Sequence, residues 1–218
     1  MKRLIIAIDG PSGAGKGTVA RRIAHTLGYR HVDTGAMYRA VGWKAELERV
    51  PLDDEPAVAD LAERARIVVE GGVVSIDGHD VTQAIRTPEI DRAAAAVARL
   101  ARVRHVLVRR QREAARGGGV VMEGRDIGTV VFPDADVKVY LDASADERAR
   151  RRAADPAHSG GTAGRAAVAE AIEARDRSDT TRTVSPLTPA PDAVHIDTTN
   201  LSIQQVVDQV MTIVNERL

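Results

Sequence analysis

The chain contains no cysteine, and aromatic residues make up only 2% of its 218 positions. Without thiols there can be no disulfide, no thiolate metal site and no cysteine nucleophile, a composition that suits a reducing cytoplasmic setting. Excess charge is also missing: 31 Lys and Arg balance 31 Asp and Glu, for a formal net charge of zero. A neutral chain poor in stacking rings argues against a general nucleic-acid binder, which needs basic tracts and aromatic platforms. No apolar run approaches the ~20 residues of a membrane helix. Met1-Lys2-Arg3 leads straight into a strand-like segment, so no signal peptide is expected. The six histidines lack metal-ligand spacing and read as structural or surface residues. An apolar content of 44% supports a real core, and the length predicts one compact domain with an appendage. Balanced charge with no evident exposed apolar helix predicts a monomer.

What the chain does have is concentrated in Leu4 to Thr18, LIIAIDGPSGAGKGT. The apolar start reads as a buried parallel strand. Glycines at 10, 13, 15 and 17 follow, then a helical pattern to Leu27 stopped by Gly28. Strand, glycine-rich loop and helix in that order make an anion cradle of inward-turned N–H groups and a helix N-terminus. The candidate nucleotide-binding residues are Gly10, Pro11, Ser12, Gly13, Ala14, Gly15, Lys16, Gly17 and Thr18, with Lys16 placed to reach the β- and γ-phosphates of a nucleoside triphosphate. The hydroxyl comes one place late, at Thr18, so Mg²⁺ should lean on phosphates and water rather than directly on the protein.

Further along, residues 29–32 read as a second strand. Asp33-Thr34-Gly35-Ala36-Met37-Tyr38-Arg39 opens a helix towards Arg49, with Asp33 or Thr34 as its N-cap. Arg39 is placed to reach back towards an anion at that helix start. From Pro51 to about Arg104 the texture changes: a helix over 53–66, a hairpin over 67–76, and a helix restarted by Thr87-Pro88 with a break near 99–102. An antiparallel hairpin inside a βα alternation predicts an inserted subdomain over 51–104, with 1–50 and 105–218 forming the core. Residues 120–122 form a strand delivering Glu123 to its C-terminal end, where a carboxylate can approach Mg²⁺ through water. Gly124-Arg125-Asp126 follows at once. Ser144 with Glu147 predicts a capping box for a helix carrying Arg148, Arg151 and Arg152 on one face. The small-residue loop after it, about 150–166 with its flanks, reads as a lid over phosphates. A last strand covers 194–196. Ser202 and Gln205 cap a final amphipathic helix whose predicted buried face is Ile203, Val206, Val207, Val210 and Val214.

A phosphate loop plus arginines dispersed over several segments is more cationic equipment than one triphosphate requires. It points to a second anionic substrate. Phosphoryl transfer needs chiefly positioning and charge neutralisation. A phosphate acceptor is already ionised and needs no general base, only screening of anion repulsion, which arginine forks supply. The residues therefore read as a nucleoside monophosphate kinase.

The blocks GPSGAGKGT, DTGAMYR, IRTPEI, RRQR, EGRDIGTVVFPDA and ERARRR, with the ARD…SD…R…SPL…PA series, resemble bacterial cytidylate kinases in that order over nearly the whole chain. The resemblance implies an α/β, three-layer P-loop kinase fold with a five-stranded parallel core, an inserted CMP-binding subdomain and a helical lid. It implies transfer from ATP to CMP or dCMP with Mg²⁺. Residue by residue, Arg39, Arg125 and Arg175 resemble the arginines that hold the acceptor phosphate. Arg104 and Asp126 resemble the cytosine readers, in keeping with a carboxylate accepting from the 4-amino group. Asp179 and Arg182 resemble the pentose contacts, and Thr34 fills the place of a hydroxyl near the substrate beside Tyr38. Arg148 and Arg151 resemble lid arginines that reach ATP, so Lys16, Arg125 and Arg151 are the expected catalytic cations. The chain departs from the family at Ala95, where a serine is frequent, and at Ser178 and Thr180.

Three other readings stay open at this level. A kinase of another monophosphate, such as UMP, or of a small acid would not need the Arg104/Asp126 pair. A guanine-nucleotide switch should carry D-x-x-G and N-K-x-D signals, which are missing here. A non-catalytic ATP-binding module would have no use for the second set of arginines.

Overall fold

The computed structural model describes residues 3–155 and 164–218. The core is a five-stranded parallel sheet in the order β2-β6-β1-β7-β8. Its strands are β1 (Ile5–Asp9), β2 (Arg30–Asp33), β6 (Val120–Gly124), β7 (Val137–Asp142) and β8 (Val194–Asp197). Parallel strands buried on both faces read as apolar runs, and Ile6, Ala7, Ile8, Val120, Val121 and Met122 are fully buried. One face is covered by α1 (Lys16–Leu27) and α8 (Ile203–Asn215), which pack Val19, Ile23, Val206 and Val210 onto Ile6, Ile8, Val139 and Leu141. On the other face, α5 (Ala101–Ala114) brings Val108 to Ala7 and Met122. The result is a three-layer α/β fold.

Strand register places the chemistry. Ile8 lies opposite Glu123 and Asp9 opposite Gly124, while Asp33 on β2 also lies opposite Glu123. The first, second and sixth strands therefore end level with one another. β1 sits where successive connections run to opposite sides of the sheet, the position at which such folds bind ligands beyond the carboxyl ends of their strands.

Between α2 (Thr34–Glu48) and α5 lie α3 (Glu55–Arg64), a small antiparallel sheet β3-β4-β5 (Ile67–Glu70, Val73–Ile76, His79–Asp80) and α4 (Pro88–Val97). Gly71 and Gly72, both at positive φ, make the tight turn between β3 and β4. The third strand, β5, was not expected from the sequence; its two residues are too few for an alternation to register. Thr87 caps α4 and Pro88 occupies its first position. Residues 98–100 separate α4 from α5, because the backbone at Leu100 turns extended before the second helix begins.

Two local expectations need correction. Ser144 does cap α6 (Ala145–Ala153) through the Glu147 amide, but the Glu147 side chain does not return to complete a box. It is held instead by Arg150 and Arg151. Ser202 and Gln205 make both bonds of a true capping box on α8. There the error lies at Ile203, which is exposed while Val206, Val207, Val210 and Val214 are buried. As the first helical residue, Ile203 precedes the first full turn and sits beyond the strip that meets the sheet. The helix α7 (Arg165–Thr181) follows the loop expected to form a lid, most of which lies outside the described residues.

Candidate active site

The phosphate loop is shaped by close backbone approaches. At Gly10 (φ +145°) a Cβ would stand 2.0 Å from the Leu141 carbonyl oxygen, and at Gly13 (φ +80°) 2.9 Å from that of Arg148. No other residue fits either place. Gly15, left-handed at φ 90°, is the N-cap of α1 and offers it no side-chain cap. An uncapped helix start with free amides is the anion site expected of this motif. Lys16 is buried and its Nζ donates to the Pro11 carbonyl at 2.6 Å, across the loop. Burial, and then the neighbouring Arg125, pull its pKa down to about 7, against the opposing pull of Glu123, Asp9 and Asp179. Thr18 projects from α1 as an exposed residue, while Gly17 faces Glu123 so closely that a Cβ would lie 3.0 Å from Oε1.

Glu123, buried at the end of β6, is met by His31 Nε2 at 2.9 Å. His31 is thus one of the structural histidines expected from the sequence, and its partner is a carboxylate at the end of a core strand. Nothing in its local sequence signals that, because the contact depends on β2 pairing with β6. Thr34 donates its hydroxyl to the Glu123 carbonyl at 2.7 Å, tying the start of α2 to the same strand end. Arg39 does reach back to its helix start, where Nη2 meets Asp33 Oδ2 at 2.9 Å. Asp33 caps α2 through the Ala36 amide; burial opposes its charge, but Arg39 and that amide hold its pKa below the usual carboxylate range.

Beyond β6, Arg125 and Asp126 enter an ionic cluster drawn from three segments, the other two being α5 and α7 with its C-cap. Asp179 on α7 receives Arg125 Nε at 2.9 Å and Arg175 Nε at 3.3 Å on Oδ2, with Arg182 Nη1 3.6 Å from Oδ1. Burial raises the cost of its charge, yet these arginines lower its pKa. Burial works against Arg125 too, and Asp179 more than offsets it, so its pKa rises; in Arg175 and Arg182 burial prevails and the values fall. Asp126 pairs with Arg104, which lies over the Tyr38 ring at 5.4 Å. The Tyr38 hydroxyl is pushed up to about 12 by burial. Arg104 Nε, Arg39 Nε and Arg182 Nη2 are buried without a hydrogen-bond acceptor. Such donors are costly unless something accepts from them. A phosphate and a pyrimidine base edge are acceptors of the right kind.

The α6 arginines converge on the phosphate loop. Arg148 donates to the Ser12 carbonyl at 3.1 Å and pairs with Asp176, whose other oxygen accepts from the Ser12 amide at 3.3 Å. Arg151 donates to Thr198 Oγ1 and O at 2.8 and 2.6 Å and comes within 3.5 Å of the Ala14 carbonyl. Arg152 leaves that face and pairs with Asp91 on α4, to whose carbonyl Arg175 also donates at 2.8 Å. Lys16, Arg125, Arg148, Arg151, Arg175 and Arg182 thus surround the carboxyl edge of β1 and β6. Asp179, expected as a sugar contact, is also the shared counter-ion of three arginines. Asp176, Asp91 and Thr198 were missed because each earns its place through tertiary contact alone.

A protein-family model described as cytidylate kinase matches residues 6–216. The chain belongs to the cytidylate kinase family. A cytidylate kinase of Desulfitobacterium hafniense (strain Y51) is 48% identical over all of this chain and 95% of the relative. One of Desulforamulus reducens is 51% identical, covering 95% of each. Among solved structures, a shikimate kinase from Bacteroides thetaiotaomicron superposes with a TM-score of 0.51 at 12% identity, over 97% of this chain and 98% of the other. That last likeness concerns the fold alone: a P-loop kinase scaffold. Membership makes the chain a phosphotransferase with a phosphate group as acceptor and a nucleotide as substrate.

Proposed function

We propose that this cytidylate kinase moves the γ-phosphoryl group of ATP to CMP or dCMP through the residues just described. The observation that carries the assignment of roles is the buried Arg104–Asp126 pair, whose Arg104 Nε has no acceptor within the protein. Asp126 accepts from the cytosine 4-amino group, and Arg104 donates to the base's O2 and N3. Uracil presents a carbonyl oxygen where cytosine presents the amine, so it sets oxygen against carboxylate.

Arg39, Arg125 and Arg175 hold the acceptor phosphate; Arg182 and Asp179 border the sugar while Asp179 fixes the arginine forks. Lys16 and the loop amides hold the donor's β- and γ-phosphates, with Arg148 and Arg151 on their far side. An acceptor phosphate oxygen attacks the γ-phosphorus, and the bond to the β–γ bridging oxygen breaks, leaving its electron pair on ADP. The acceptor oxygen is already ionised, so no side chain removes a proton. Arg125 and Lys16 neutralise the charge that the two anions bring together.

Among the described residues no group of three His, Asp or Glu gathers as a metal cage. Glu123, oriented by His31 and facing Gly17, fits a role in holding the water shell of phosphate-bound Mg²⁺, with Thr18 beyond it. Bound there, Mg²⁺ supplies charge neutralisation on the phosphates. The elements over 51–104 serve as the CMP-binding subdomain and the α6–α7 connection as the lid. Among the described residues no helix is long and apolar enough to cross a membrane. The scattered exposed apolar residues, such as Leu47, Val73 and Ile203, fit a cytoplasmic monomer.

The test is Asp126→Ala, with ATP and CMP binding measured separately. CMP affinity should fall about 100-fold, as when a base-edge bidentate pair is lost, while ATP affinity holds. Equal loss of both would make Asp126 a structural residue.

A further inference from the structure

Asp9 ends β1, immediately before the phosphate loop, and is almost fully buried. Its Oδ1 accepts from the Ile127 amide at 2.8 Å and Oδ2 from the Gly128 amide at 2.7 Å. Those amides open the π-helical turn Ile127–Val131, which starts directly after Arg125 and Asp126. The turn is an uncommon conformation of the sort that recurs at functional sites. Two short charge-assisted bonds from one buried side chain define both the position and the direction of its first peptide units. Gly10, the next residue, is locked against Leu141 of β7. Asp9 therefore stands between the donor loop, fixed through Gly10, and the base-reading Asp126, fixed through Ile127. Lys16 from α1, Asp126 from the turn, and Lys138 and Tyr140 from β7 surround it.

We propose that Asp9 is a positioning residue for the cytidylate kinase reaction: it pins the turn that directly follows Arg125 and Asp126 to the root of the phosphate loop, fixing the acceptor base relative to the donor. The inference rests on the reading of Asp126 as a cytosine contact. Asp9 touches neither substrate. Its effect is on where Asp126 and Arg125 stand. A neutral side chain of the same shape cannot accept from both amides, since an amide NH₂ would face one of the two N–H donors.

Asp9→Asn tests this by steady-state kinetics with ATP and CMP varied independently. The KM for CMP should rise about tenfold, as the loss of one charge-assisted bond implies. The KM for ATP should stay within about twofold, and the preference for CMP over UMP should narrow. Gly128→Ala perturbs the same contact gently from the other side. Its φ is not left-handed, and the new Cβ would lie 3.4 Å from Asp9 Oδ2 and 3.2 Å from the flexible Lys138 stem. It should show the same CMP-specific rise at smaller size, and it carries the test if Asp9→Asn does not fold. Equal rises in both KM values, or unchanged KM for CMP in the variants that fold, would overturn the proposal. Asp126→Ala assayed alongside separates the two readings. If it leaves CMP binding intact, the cytosine contact itself is wrong; if it abolishes CMP binding while the Asp9 and Gly128 variants act as wild type, only the positioning role fails.

Discussion

Replacing Asp179 by Asn removes the one carboxylate that Arg125, Arg175 and Arg182 share at 2.9, 3.3 and 3.6 Å. The residue is 1% exposed, so water cannot take over its role. Asn keeps the shape and one acceptor but none of the charge. Breaking a buried pair by removing one partner costs about 3–5 kcal/mol, because the remaining charge is left uncompensated. In a domain of this size each kcal/mol moves the melting temperature by about 2–4 °C, so calorimetry should show a fall of about 10 °C. The arginines left behind form an anion site, and inorganic phosphate should restore part of the loss, more so than it stabilises the wild type. The KM for CMP should rise with it, since the forks lose their common anchor. In the wild type the carboxylate's folded pKa lies below 3.8. Its contribution is thus complete above that value and lost only as pH falls through the lowered one. A drop of less than about 2 °C, or phosphate stabilising both proteins alike, would refute the idea that Asp179 is the arginines' counter-ion.

Three further outcomes follow from the same geometry. Lys16, with its pKa lowered to about 7, is mostly neutral at pH 8. ATP binding there should draw in about one proton, seen by calorimetry in buffers of differing ionisation enthalpy and absent in Lys16→Met. For folding, the sign is opposite to that of a stabilising lysine: the unfolded chain binds the extra proton between about 7 and 10.5, so this group's contribution to stability rises with pH across that window. Arg151→Ala, losing its bonds to Thr198 and the approach to Ala14, should raise the KM for ATP about tenfold and leave that for CMP nearly unchanged. Gly17→Ala would set a methyl group 3.0 Å from Glu123 Oε1. The Mg²⁺ concentration for half-maximal activity should then rise about tenfold, in line with other disturbed outer-shell contacts, and a normal Mg²⁺ response would release Glu123 from that role.

The sequence showed what is encoded locally. The apolar run before Gly10, the left-handed Gly28 stop, the Thr87-Pro88 start and the Ser202–Gln205 box are each decided by a few neighbouring residues, and each was visible. The cationic site residues were legible as types: a phosphate loop followed by arginines on five segments is a statement about anions. What stayed hidden was which carboxylate each arginine would meet. Asp179 becomes a counter-ion and Asp176 reaches the Ser12 amide only because α7 lies against the carboxyl edge of the sheet, and Asp91 takes Arg152 only because α4 meets α6 there. The Glu147 pattern misled for a related reason, since two arginines within one turn outbid the helix cap for its carboxylate. His31 and Asp9 act through strand register and a π-helical turn, and no linear pattern announces either.

The central claim is that a cytosine-reading pair and a phosphate loop share one cleft. It is tested most directly by following ADP formation from Mg-ATP across CMP, dCMP, UMP, AMP, GMP, dTMP and shikimate. Strong turnover confined to CMP and dCMP is the predicted result. Turnover of UMP equal to that of CMP would contradict the role given to Arg104 and Asp126, and ATP binding without turnover of any acceptor would contradict the kinase itself.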